Sequence, residues 1–595
     1  MFLTRLKAFL PLFASSGIPF LLLAALLWGL KEGWGWVSLE MQFLGYKGSI
    51  AALGPDPRLP VVGTTFPPLL VMVTAILGRS PLLLQAIVGS LVLGWVWRQL
   101  RCLPAGVGWR WLWGLLMAVQ PTLILMLLRS PAWTATAGLV GVNMALLFPL
   151  SKEEQPRAET GADSGELPLA LRLLLIGLAL GPLMVLRWES GWLLPWVAGV
   201  LLLAFRRQSW GFRLTSLLVA GFISLALILS WLYVNWLSAG DPWAFAYQAG
   251  SGLRLPQFRE ALQQAGGWQG LVQALQWLEM LASAYFILGV GTLLGFGAGR
   301  WVWALIWGIP LVILLASLGQ GLFLPELSQF GLFWLPLPLL MGAYLHKGLG
   351  PGWAKRLVIT ALLGLNCLTS GYVLTQEPGF LPPLVAEERD LWQWLVGELS
   401  PVSWNLEAAQ AFYEVTPAGQ ALEDWRRLRQ EKRQVGQYLY RHLLPGQKVL
   451  VDDDIHFEAI FWARDPRSFL TPHQYEFSKA LQIPQEGVDY LLVAGPVDPL
   501  WSADRILQFW PQLTLEGLPN FVEVYSSLQV RLWARREKTE SVESSLCYEH
   551  APTIPSDLAP AAGSADGGIP PGCLGNSRLW SGGVLATRAA EFPQP

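Results

Sequence analysis

Residues 10–63 read LPLFASSGIPFLLLAALLWGLKEGWGWVSLEMQFLGYKGSIAALGPDPRLPVVG. Residues 10–30 of this stretch are apolar or small, and about 20 such residues make a helix long enough to cross the hydrocarbon layer of a bilayer. Residues 31–63 are different: they bring in Glu32, Glu40, Lys47, Asp56 and Arg58 among glycines and prolines. The junction reads as a membrane anchor that runs into a long polar loop. Arg5 and Lys7 precede the apolar run, and no small-x-small cleavage site follows it, so the anchor is expected to be kept.

The same pattern recurs along the chain. Ten further apolar stretches are expected to span: 81–97, 111–128, 131–149, 167–186, 190–205, 213–236, 278–297, 301–318, 330–345 and 355–375. Segment 64–78 is too short and opens on Pro67-Pro68, a helix start, so it reads as a re-entrant or surface helix. The composition agrees. Of 595 residues, 53% are hydrophobic and only 14% charged, against about 25% charged in an ordinary soluble domain. This excludes a single-core soluble enzyme. A formal net charge of −1 leaves no footprint for nucleic acid. The four cysteines form neither a disulfide framework nor a metal-ligand spacing.

Acidic residues are unevenly placed. Residues 1–380 hold 14 of the 42 Asp and Glu, five of them within 151–166. The chain therefore divides near Gln376 into a membrane part, 1–376, a water-facing domain, 377–536, and a Pro-, Gly-, Ser- and Ala-rich tail, 537–595, expected to be disordered. Basic residues mark the cytoplasmic side of short loops. Arg98, Arg101, Arg110, Arg206, Arg207, Arg300, Lys347, Lys355 and Arg356 fall on one side together with the N-terminus. With eleven spans the C-terminal domain lies outside, and the chain is placed in the plasma (inner) membrane. Trp residues gather near span ends (Trp28, Trp97, Trp111, Trp113, Trp236), as indoles do at the headgroup layer. Gly291, Gly295, Gly297 and Gly299 lie inside a span and read as helix packing rather than a phosphate loop.

Ionisable groups on the outer loops are the candidate chemistry. Glu40, Tyr46, Lys47, Asp56 and Arg58 lie on the first outer loop, Arg129 between the third and fourth spans, Arg187 after the fifth, and Asp241 after the seventh. A carboxylate could take a proton from an acceptor hydroxyl while guanidinium groups hold a departing phosphate. Phosphate is a weakly basic leaving group and needs no general acid, unlike the two-carboxylate plan of glycosidases.

An N-terminal anchor, an acidic first outer loop, a Pro67-Pro68-Leu69 helix start, many spans and an outer C-terminal domain together resemble the GT-C glycosyltransferases, the group of protein mannosyltransferases and the bacterial aminoarabinose transferase of lipid A. The resemblance covers roughly residues 1–375. It implies a polytopic α-helical membrane protein of about 11 spans with a small extracytoplasmic α/β domain. It also implies transfer of a sugar from a polyprenyl-phosphate carrier to a glycan, lipid or protein acceptor, by inverting displacement. Members usually carry an Asp-Glu pair in the first loop with an aromatic soon after; here Leu39-Glu40 stands there, with Phe43 or Tyr46 as the aromatic. Some carry a second acid after the third span, where this chain has LLRSPAW, 127–133. On this reading Glu40 is the base, Asp56 or Asp241 a second carboxylate, Arg129 and Arg187 the phosphate holders with Lys47 or Arg58, and Tyr46 a substrate contact. A divalent cation is compatible with the plan, without an identified ligand set. A member of the fold that binds lipid-linked glycan without catalysis is the alternative. A transporter is the other, though no duplicated halves are visible.

In the outer domain, Glu387–Leu399 and Ala421–Leu444 read as helices, Val449–Val451 and Val488–Val493 as strands, and FVEVYSS with LQVRLWAR as a closing hairpin. Asp452-Asp453-Asp454 follows the first strand. It has the oxygen donors of a cation site, but equally those of a strand end that caps the next helix.

Overall fold

The computed structural model describes residues 2–34, 36–54, 68–78, 80–147, 168–243, 282–290, 308–319, 327–334, 336–347, 351–375, 417–472, 474–484, 487–496, 498, 501–513, 517–527 and 530–536. Asp56, Arg58, the Gly291–Gly299 run, the helix expected at 387–399 and the 537–595 tail lie outside the described residues.

The membrane part is helical: α1 Phe2–Trp34, α2 Leu39–Leu53, α3 Pro68–Ile76, α4 Pro81–Arg101, α5 Val107–Ala118, α6 Pro121–Arg129, α7 Pro131–Leu147, α8 Leu169–Leu186, α9 Leu193–Ala204, α10 Trp210–Ala239, α11 Ile309–Gly319, α12 Leu337–Lys347 and α13 Gly352–Thr375. Residues 282–290 are also helical. Among the described residues, α4, α8 and α10 are long and apolar enough to cross a membrane by length and composition, and α5 with α6 would make a fourth span bent by 60°. Among the described residues a count of eleven is not confirmed. The expected straight span 111–128 is broken because Pro121 has no N–H to donate and restricts Gln120 before it; Gln120 is extended there and its amide donates to Ser370 Oγ (2.9 Å).

The solvent of α10 can be read from its surface. Leu218, Phe222, Leu225 and Leu229, spaced as one helical stripe, are all more than half exposed. Such a stripe is costly in water and at home in lipid, where only helices and closed barrels satisfy their own backbone. Its opposite face meets α8 through small residues: Gly177 and Gly181 face Ala220 and Ser224, and Ser224 Oγ donates to the Gly177 carbonyl (2.9 Å). Not every Trp obeys the headgroup expectation. Trp28, Trp111 and Trp236 are exposed, but Trp113 and Trp334 are buried, their indole N–H groups donating to Thr360 Oγ1 (2.9 Å) and Thr122 Oγ1 (3.1 Å). A buried indole needs such an acceptor.

The outer domain contains α14 Pro417–His442, β1 Val449–Val451, α15 Asp453–Ala463, β2 Phe469–Leu470, α16 Tyr475–Gln482, β3 Tyr490–Ala494, α17 Arg505–Phe509, β4 Phe521–Ser526 and β5 Val530–Arg535. The sheet order is β2-β1-β3-β5-β4. β1 is parallel to β2 and β3, while β5 runs antiparallel to β3 and β4. One face packs on α14 and α15 through Val435, Leu439, Ala459 and Ile460, and the other on α16 and α17 through Phe477, Ile506 and Leu507. β1 and β3 are buried throughout, as strands covered on both faces must be.

One element departs from expectation. The first outer loop folds into α2, and Tyr46 and Ile50 of α2 belong to the same buried cluster as β1, β3, α14 and α15. The membrane part thus supplies a helix to the core of the outer domain.

Gly177→Val tests the α8–α10 contact, because a Cβ at Gly177 would lie 2.2 Å from the Ala220 carbonyl oxygen. Overpacking of this kind costs about 1–3 kcal/mol. Thermal melting of the detergent-solubilised chain is expected to fall for Gly177→Val and to hold for Gly199→Val, where nothing lies within 4 Å.

Candidate active site

Helix α2 is fixed at its start by a corner of the membrane part. Ser38 caps it, its Oγ accepting from Met41 N–H (3.2 Å) and donating to the Arg129 carbonyl (2.6 Å). Glu40, in the first turn, accepts from Ser130 Oγ and from the Ala132 N–H (2.8 Å). Ser130 closes α6 and caps α7, its Oγ also accepting from Trp133 N–H (3.1 Å), with Pro131 at the first helical position. The Glu40 carboxylate therefore sits at the positive end of α7. A buried amide locks this corner from behind: Gln85 of α4 donates to the Met126 carbonyl (3.2 Å), the Leu127 carbonyl and Thr134 Oγ1 (3.1 Å). Thr134 Oγ1 donates in turn to the Ser130 carbonyl (2.7 Å).

Two cations border the same corner. Arg129 ends α6 and is buried. Arg187 ends α8, and its guanidinium lies 4.2 Å from the Trp133 ring centre. Glu40 is thus bonded to Ser130 and Ala132, Arg129 directly precedes Ser130 in the chain, and Arg187 lies over Trp133.

The later turns of α2 face the outer domain. Lys47 Nζ lies 2.6 Å from Asp453 Oδ2, and Tyr46 Oη donates to that same oxygen at 2.5 Å. Both members of the ion pair are essentially without solvent contact. Phe43 meets Phe457 edge to face, and Gly45 lets α2 approach α15, since a Cβ there would lie 2.7 Å from the Phe461 ring. Burial first, and the Asp453 charge second, hold the Tyr46 phenol well above its usual range, so it stays a donor. Lys47, expected to help hold the phosphate, and Tyr46, expected as a substrate contact, are both bonded to Asp453 of the outer domain.

Asp453 is the centre of the acidic triplet. Asp452 caps α15, accepting from Asp454 N–H (3.2 Å) and Arg505 N–H (3.0 Å), and the Arg505 guanidinium lies 3.0 Å from Asp454. The three carboxylates offer oxygens within 4.8 Å of one another. Lys47 and Arg505 already lie against them. The donors fit a cap and ion-pair node better than a metal cage, in line with the helix-capping expectation.

Asp241 lies in the turn after α10, its carboxylate accepting from Trp243 N–H (2.9 Å). The residues that sequence reasoning passed over are Ser38 and Ser130; Asp453 stood out only as one of the acidic triplet. Ser130-Pro131 carried a visible helix-start signal; nothing local marked Asp453 as the partner of Lys47.

Burial, with Asp454 next, pushes Asp452 up from 3.8 to about 7. The folded state therefore holds a proton that the unfolded chain has released. The stability this contributes is complete below about pH 4 and is lost as pH rises through about 7. Asp452→Asn is accordingly expected to gain on the wild type in melting temperature more at pH 8 than at pH 5. An equal difference at both values would contradict the assignment.

No family model and no curated protein matches the chain. Among solved structures it is similar to the crystal structure of ArnT from Cupriavidus metallidurans bound to undecaprenyl phosphate, at 14% identity, over 87% of this chain and 97% of that one, with a TM-score of 0.47. The apo state of that ArnT gives 15% identity, the same coverage and a TM-score of 0.46. The cryo-EM structure of the arabinofuranosyltransferase AftD from Mycobacteria gives 13% identity over 88% of this chain and 40% of that one, with a TM-score of 0.40.

Proposed function

We propose that the chain is a membrane glycosyltransferase that moves a sugar from a polyprenyl-phosphate carrier to an extracytoplasmic acceptor. The reading is supported by the hydrogen bonds of Glu40 to Ser130 and Ala132, with Arg129 next to Ser130 in the chain and Arg187 over Trp133. Glu40 takes the proton of the acceptor hydroxyl. The acceptor oxygen bonds to the anomeric carbon as the bond from that carbon to the phosphate oxygen breaks, with inversion. The electron pair leaves with the phosphate, whose charge Arg129 and Arg187 offset. Ser130 Oγ and the Ala132 N–H donate to the Glu40 carboxylate and orient it at the start of α7.

A second reading is favoured by the same hydrogen bonds. Glu40 also serves as a cap for α7, which is the role expected if the fold binds lipid-linked glycan without turnover. Release of polyprenyl phosphate from a radiolabelled polyprenyl-phosphate sugar, in membranes containing the full chain, separates the two. Glu40→Gln is expected to lower this release by about 10²–10⁴-fold while labelled carrier still binds. Undiminished release in the variant removes Glu40 from the chemistry. Binding without release in the wild type establishes the second reading.

A further inference from the structure

The end of α1, the later turns of α2, the start of α4 and the end of α15 enclose a cleft of about 270 Å³. It is lined by Trp28 and Lys31 of α1, Ser49 of α2, Ser80 before α4, and Trp462 and Arg464 of the outer domain. None of the Glu40 corner lines it.

Two cations face this space from different elements. Lys31 lies 5.1 Å from the Trp28 ring, and its carboxylate neighbour Glu32, at 3.5 Å, is mostly in solvent. Such a pair is screened and weak. Arg464 lies 5.1 Å from the Tyr440 ring, and among the described residues no carboxylate pairs with it. Its backbone is unusual. Arg464 ends α15 at φ 65°, the left-handed conformation that helix ends normally give to Gly or Asn. A side chain kept where glycine fits better is an outlier that points to a use for the guanidinium. Ser80 Oγ accepts from Leu83 N–H, which leaves its proton to donate.

Below the cleft, Ile18, Leu21, Leu22 and Leu26 form an exposed apolar stripe on α1 that leads up to Trp28 and Lys31. The volume is below the roughly 300–1,000 Å³ of a drug-sized site. It admits a headgroup, not a whole sugar-lipid. We propose that the cleft holds the phosphate headgroup of an anionic membrane lipid between Lys31 and Arg464, with its acyl chains along the α1 stripe. A guanidinium suits phosphate through paired N–H donors, and the stripe selects a lipid over a free anion.

Native mass spectrometry of the full chain in detergent, titrated with phosphatidylglycerol or phosphatidylcholine, tests this. Phosphatidylglycerol is expected to be retained in preference to phosphatidylcholine, and loss of each cation to weaken it by roughly fivefold. Arg464→Gly is the variant least able to unfold the domain, because glycine is at ease at this φ. It should weaken phosphatidylglycerol retention with melting temperature unchanged or raised, and Lys31→Gln with Arg464→Gly should weaken it further. Wild-type retention in the double variant overturns the site. Displacement of the lipid by millimolar inorganic phosphate overturns the lipid assignment in favour of a free anion. Glu40→Gln should retain lipid as the wild type does, so this result and that of the transfer reaction are read separately.

Discussion

The buried contact of Lys47 with Asp453 is the constraint on which the rest depends. Two opposite charges, 406 residues apart in sequence, lie 2.6 Å from one another with almost no access to water. Taking such charges out of water costs several kcal/mol each, and only close geometry with further hydrogen bonds offsets it. Tyr46 supplies one of those bonds on the same carboxylate oxygen. Loss of either partner would strand the other charge, at a cost of about 3–5 kcal/mol. The outer domain is thereby held to one helix of the membrane part.

That helix is the one that carries Glu40. Seven residues separate Glu40 from Lys47, which is about 10 Å along a helix axis. One end of α2 is bonded to the α6–α7 corner through Ser38 and Glu40, and the other is held by Asp453 and by the packing of Tyr46 and Ile50 in the outer core. Helix α2 is thus held at both ends, which fixes where its first turn, with Glu40, meets the start of α7. The outer domain is packed against the helix that carries Glu40, and its acidic triplet caps α15 and pairs with Lys47 and Arg505.

Much of this was legible in the sequence where the physics is local. Every expected membrane stretch contains helix among its described residues, because lipid leaves the backbone no other open solution. β1, β3 and the closing hairpin followed from β-branched, apolar runs, and Asp452 does cap the helix after β1. Other features were not local. Helix α2 is hidden in a loop with several glycines, and it is helical because the outer core buries one side of it. The partner of Lys47 lies too far along the chain for any pattern to announce it. The break at Gln120 had its signal in Pro121, which hydropathy alone overrides. The left-handed Arg464 has no signal at all.

The most direct test of the account is a double-mutant cycle on the buried pair, read by hydrogen exchange of β1 and α15 amides in the full chain. Lys47→Met and Asp453→Asn singly should each lower the opening free energy by about 3 kcal/mol, and the double variant should recover more than half of the summed loss. Simple additivity would mean that the two side chains do not share a contact, and that the outer domain does not hold α2 in place.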